Sequence, residues 1–143
     1  MFRLLLSVFI LSLFVFFNSS SLAQSSDDSH VVHIQSNKLT GMLGDDADAF
    51  NDMLRRQMGV INSDSRVVSS RVLRHSWGAD SRDFILITEF KNIDDLLSFY
   101  NDLNSLLENA FSKEQMDTDN AMWAKYVGQH ADEIYQETPG TRK

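Results

Sequence analysis

Residues Val67–Lys91 read V-V-S-S-R-V-L-R-H-S-W-G-A-D-S-R-D-F-I-L-I-T-E-F-K, and this stretch decides the fold. Two β-rich runs, Val67–His75 and Phe84–Phe90, flank a polar turn centred on Gly78–Asp80. That is the pattern of a β-hairpin. The second run does not alternate cleanly between apolar and polar. Phe84, Leu86 and Phe90 share one side, while Ile85 and Ile87 share the other, because successive strand side chains point to opposite faces. Both faces of the sheet built on this strand therefore require cover.

Working outward, His30–Lys38 carries Val31, Val32 and Ile34 and reads as a first strand, followed by a turn at Gly41–Gly44. Asp45–Met58 reads as a helix. Asp45, Asp46 and Asp48 suit the positive end of its macrodipole, and Arg55 and Arg56 suit the negative end. Phe50, Leu54 and Met58 recur as an apolar stripe of core residues, and Gly59 is placed to end the helix. Beyond the hairpin, Asn92 caps a second helix, with Asp95 three residues on. Its broad apolar face runs from Ile93 through Leu96, Leu97, Tyr100, Leu103, Leu107 and Ala110 to Phe111. Asp117–Asp119 is expected to cap a shorter third helix that Gly128 ends. Ala131–Glu137 reads as a last strand, and residues 138–143 as a loose tail.

The resulting order is β-α-β-β-α-(α)-β, an α+β ferredoxin-like arrangement of one antiparallel sheet with helices on one face. Residues 30–137 form its single domain. Helices cover one face of the sheet; a second copy of the same sheet is the simplest cover for the other, so a homodimer is expected.

The N-terminus reads as a secretory signal peptide over residues 1–23. Arg3 supplies the positive start, Leu4–Phe17 the apolar run, and Ser21-Leu22-Ala23 a small-x-small cleavage site. The apolar run falls short of the roughly 20 residues a transmembrane helix needs, so no stable membrane anchor is expected after cleavage. Residues 24–29 form a Ser/Asp-rich leader. The expected location is periplasmic or secreted. Cleavage removes Arg3 and no acid, so the net charge moves from −7 to −8. An acidic chain repels phosphate backbones, which argues against nucleic acid as a partner. With no cysteine in the sequence, neither disulfides nor thiol chemistry is available.

Nearly all of Ser29–Glu137 resembles the dimeric α+β barrel superfamily, the group that holds antibiotic-biosynthesis-monooxygenase-like, NIPSNAP-like and stress-responsive barrel domains. The likeness rests on the element order, on Arg74–Asp83 leading into Thr88-Glu89-Phe90, and on His130-Ala131-Asp132-Glu133-Ile134-Tyr135 as a closing strand. It implies a ferredoxin-like fold and a dimer. Members include cofactor-free oxygenases, haem-handling enzymes and proteins without known activity, so it implies no single reaction and no subfamily.

Strand parity sorts the residues able to carry chemistry. Arg71, Leu73, His75 and Trp77 share one side of the hairpin's first strand, and Ile85, Ile87 and Glu89 one side of its second. If His33 and Gln35 lie on that same face, His33, Arg71, His75 and Glu89 converge in the lumen of a barrel, with Glu133 and Tyr135 joining from the last strand. The catalytic candidates are then His75 as a proton exchanger, Glu89 as its orienter or a base, and Arg71 as a fork for a carboxylate or enolate oxygen. His33, Trp77 and Tyr135 are the ligand-binding candidates, with Trp77 stacking on a flat molecule. The competing reading makes Arg71 and Glu89 a cross-strand ion pair, with His75 and Trp77 packing beside them. Asp80, Arg82 and Asp83 read as turn chemistry. His30, His33, His75 and His130 lack metal-ligand spacing; His33, His75 and Glu89 meet only through folding, and His130 offers a single axial ligand. No metal or cofactor is expected. The partners expected are a second copy and a small apolar or carboxylate-bearing molecule. The function expected is an exported small-molecule-binding barrel that could act as a cofactor-free enzyme; the alternative is a non-enzymatic dimeric envelope module.

Overall fold

The computed structural model describes residues 29–78 and 80–141. The signal peptide and nearly all of the leader lie outside the described residues. Strand β1 (Val31–Leu39) leads through a 3-10 turn at Gly44–Asp46 into helix α1 (Ala47–Ser63). The hairpin β2 (Val67–Arg74) and β3 (Asp83–Phe90) follows, then helices α2 (Ile93–Ala110) and α3 (Lys113–Tyr126), and finally β4 (Val127–Gln136). The sheet order is β2-β3-β1-β4 with every neighbouring pair antiparallel. This is the ferredoxin-like α+β arrangement read from the sequence. No helix among the described residues is long and apolar enough to cross a membrane.

One face of the sheet carries the core. Phe84 and Leu39 pack with Phe50, Met53, Leu54 and Tyr126 toward one end; Val31 and Phe90 pack with Met58, Ile61, Leu96 and Phe99 toward the other. Val72 and Leu86 touch both groups. Each fully buried Phe or Leu side chain contributes about 1.5–3 kcal/mol of transfer free energy, so this face holds the helices firmly in place.

Three boundaries differ from expectation. Helix α1 runs through Gly59 to Ser63. Ile61 extends the buried stripe one more turn, and that burial outweighs the penalty of about 1 kcal/mol for an interior glycine. Helix α3 starts at Lys113, where the Ser112 side chain accepts a hydrogen bond from the Gln115 N–H at 3.2 Å. The acids expected to cap it lie inside the helix instead. Asp119 is buried there, taking hydrogen bonds from Arg56 Nη2 at 2.8 Å and Gln115 Nε2 at 2.7 Å, and so ties α3 to α1. Strand β4 begins at Val127, directly after α3 and earlier than the expected Ala131.

Candidate functional site

The uncovered face of the sheet is built from three rows that register fixes. In the first row Tyr135, Val32, Glu89 and Ser69 lie side by side across β4, β1, β3 and β2. The second row is Glu133, Ile34, Ile87 and Arg71; the third is Ala131, Ser36, Ile85 and Leu73. The middle of this face is apolar, and Leu73 and Tyr135 remain 45% and 49% exposed. Its polar groups sit toward the first row and along both flanks.

Glu89 is the exception to the openness of this face. It is only 6% exposed. The Ser69 hydroxyl donates to Glu89 Oε2 at 3.0 Å, and the His30 ring Nδ1 meets Glu89 Oε1. His30 continues the parity of Val32 just before β1. The Glu137 N–H donates to the His30 carbonyl at 2.8 Å, which sets Glu137 opposite His30 at the same end. The ligating atoms of His30, Glu89 and Glu137 all lie within 4.8 Å of one another. Tyr135, next to Val32, donates its hydroxyl to Glu133 at 2.8 Å, and that bond raises the Tyr135 pKa.

Three of the expected residues, Arg71, Glu89 and Tyr135, share this face and occupy its first two rows. Arg71 lies opposite Ile87 and Glu89 opposite Ser69, so the two are diagonal neighbours and not a directly facing cross-strand pair. The other three lie elsewhere. His33 pairs with Thr88 and is buried on the helix-covered face. There its Nδ1 accepts from the Tyr100 hydroxyl of α2, and its Nε2 lies 3.1 Å from Asp132. Burial pushes the Tyr100 hydroxyl up to about 12. His130 reaches the same Asp132 at 3.3 Å, which fills its exposed position with a local pairing. Gln35 shares the helix side with His33. His75 falls just past β2, with its ring nitrogens on the backbone carbonyls of Asp80 and Trp77. Trp77 stands 93% exposed at the hairpin end. Both belong to the end of β3 opposite Glu89, so His75, Glu89 and His33 do not converge.

Parity sorted the two sides of each strand correctly, but two facts it does not contain decided the outcome. In β1 both parities are apolar, Val31 on one side and Val32 and Ile34 on the other, so the choice between His33 and His30 was open. Parity also says nothing of distance along a strand, which separates His75 from Glu89. Asp80, as expected, serves the turn: it binds Arg82 through both carboxylate oxygens and Lys38 at 2.9 Å, and these partners hold its pKa far below the usual carboxylate range.

No protein-family model matches the chain, and no curated protein matches it. Solved structures do. A dimeric ferredoxin-like protein of unknown function from Bacteroides fragilis is 15% identical, with a TM-score of 0.53 over 76% of this chain and 96% of that one. SnoaB, a cofactor-independent oxygenase from Streptomyces nogalater, is 11% identical, with a TM-score of 0.51 over 81% of this chain and 99% of that one. A conserved protein from Methanosarcina mazei is 9% identical, with a TM-score of 0.50 over 79% of this chain and 96% of that one. At such identities the likeness is one of fold. The chain has the ferredoxin-like α+β fold of the dimeric barrel proteins that its sequence resembles.

Proposed function

We propose that the protein is an exported homodimer that binds a small molecule between two stacked sheets. The observation that carries this reading is the uncovered face: Val32, Ile34, Ile85, Ile87 and Leu73 form an apolar field with Glu89 buried at one end and Arg71 on its flank. An apolar surface of this kind marks an interaction site. A second copy related by a twofold axis covers it with the same residues. The dimeric state of the Bacteroides fragilis protein supports that cover.

A chamber walled by two such faces is mostly apolar with few polar groups, as small-molecule sites are. Glu89 accepts a hydrogen bond or a proton from the ligand, and Arg71 grips a carboxylate or enolate oxygen one row away. The cofactor-independent oxygenase among the similar structures supports a reaction that needs no bound cofactor. His33, His75 and Trp77 take no part.

The test combines light scattering with ligand titration. Wild-type protein is expected to run as a dimer, and Ile87→Asp as a monomer, because a charge is costly in the stacked face. Titration with 1-naphthoate and 1-naphthol separates the two polar roles. Arg71→Ala should weaken the naphthoate at least tenfold, and Glu89→Gln should weaken the naphthol. A monomeric wild type with no affinity for either overturns the reading. A dimer that binds neither favours the envelope module instead. Export rests on the N-terminal pattern. Protein recovered from the envelope or medium should begin at Gln24, and an intact Met1 there overturns it.

A further inference from the structure

The geometry points to a divalent-cation site formed by His30, Glu89 and Glu137 at the first-row end of the uncovered face. The three ligands come from three places in the chain: the residue before β1, the body of β3 and the residue after β4. Only the folded sheet assembles them. Their ligating atoms all lie within 4.8 Å of one another. Ligands about 2.0–2.2 Å from a shared zinc ion stand roughly 3–4 Å apart, so small side-chain rotations close the set.

Charge and burial support this assignment. Glu89 is 6% exposed, and a second carboxylate, Glu137, approaches it. A divalent cation set between the two carboxylates would be attracted by both. A neutral imidazole with two carboxylates neutralises a divalent ion completely. The Ser69 hydroxyl supports the same arrangement from behind. It holds Glu89 Oε2 at 3.0 Å, leaving Oε1 turned toward His30, as outer hydrogen bonds orient metal-ligating carboxylates. The Glu137 N–H bond to the His30 carbonyl locks the other two ligands in register.

The donor set selects the ion. One imidazole nitrogen with two carboxylate oxygens suits Zn²⁺ or Mn²⁺ rather than Ca²⁺ or Mg²⁺, which take all-oxygen shells. Three protein ligands would leave coordination positions free for water or a ligand oxygen, and Val32 and Tyr135 lie in the row that Glu89 shares. What the cation would do there, holding a ligand oxygen or a water, rests on the proposed chamber. That it binds does not, because every ligand belongs to one chain.

Isothermal titration of the untagged, chelator-stripped full mature chain tests the site. Zn²⁺ alone should bind at one ion per chain, with Mg²⁺ and Ca²⁺ at least a hundredfold weaker. Glu137→Gln and His30→Gln should each lose tenfold or more in Zn²⁺ affinity with unchanged circular dichroism. His130→Gln, on the opposite face, should bind as wild type does. Glu137→Gln leaves the buried Glu89 in place, so it serves if Glu89→Gln misfolds. The site is overturned if folded wild type takes up no Zn²⁺, if the His30 and Glu137 variants bind as wild type, or if Ca²⁺ binds equally well. Ile87→Asp separates the two readings: Zn²⁺ bound by a monomer upholds the site even where the chamber fails. A dimer that binds naphthol but no Zn²⁺ does the reverse.

Discussion

Ser69 and Glu89 face each other across the β2–β3 hairpin, one residue from a bulge at Val68. The bulge returns Val67 to the core side, opposite Phe90, and turns Val68 outward at 40% exposure. The Ser69 hydroxyl then spends its hydrogen bond on a buried carboxylate. Ser69→Ala should cost about 1.5–3 kcal/mol, the range for a hydrogen bond to a charged group. Urea unfolding at neutral pH measures it; a loss under about 0.5 kcal/mol, the size of an ordinary surface substitution, refutes the bond's importance.

Gly78 has φ +143°, and a Cβ placed there would stand 2.6 Å from His75 Nε2. Gly78→Ala should destabilise by about 1–3 kcal/mol through backbone strain together with that clash. Adding His75→Ala removes the ring, so the double variant should lose less than the two single losses added together. Additive losses in thermal unfolding would contradict the clash.

Burial against His33 pushes the Tyr100 hydroxyl up to about 12 from an ordinary value of 10.0. Its folded pKa is raised, so its contribution is whole below pH 10 and is lost as pH rises toward 12. Wild type should therefore lose stability across that window, and Tyr100→Phe should lose less. In ultraviolet titration the Phe variant should lack the latest-ionising phenol. An unchanged late phase would assign that phase to another tyrosine.

Asp64 is held below its usual 3.8 first by the Arg66 side chain, which it meets through both oxygens at 2.8 and 2.7 Å. Arg66 carries the link on to Asp102 of α2 at 2.7 Å. A depressed folded pKa gives stability that is complete above 3.8 and is lost as pH falls through the folded value. Asp64→Asn should be less stable than wild type at pH 7, and the gap should narrow in acid below 3.8. A gap that stays constant with pH would place the effect in packing instead.

The element order, the hairpin and the demand for cover on two faces were all readable along the chain. Phe84, Leu86 and Phe90 against Ile85 and Ile87 predicted a sheet with two apolar sides, and those residues divide so between the core and the open face. Arg71, Glu89 and Tyr135 were assigned to one face for the same reason and share it. His30, Ser69 and Glu137 were missed. His30 follows the parity of Val32, but nothing local distinguishes that parity from the parity of His33.

Side-chain alternation is a property of each residue and its neighbours, so the sequence by itself determined which residues of a strand share a side. Which side meets the helices is a property of the packed whole. In β1 it was decided when Val31 and Leu39 joined the cores under α1, α2 and α3, carrying His33 inward and leaving His30 out. Position along the sheet was likewise decided by pairing register, which placed Glu89 beside Ser69 and left His75 at the far end of the hairpin. Tertiary structure alone chose these because each rests on contacts between segments distant in the chain.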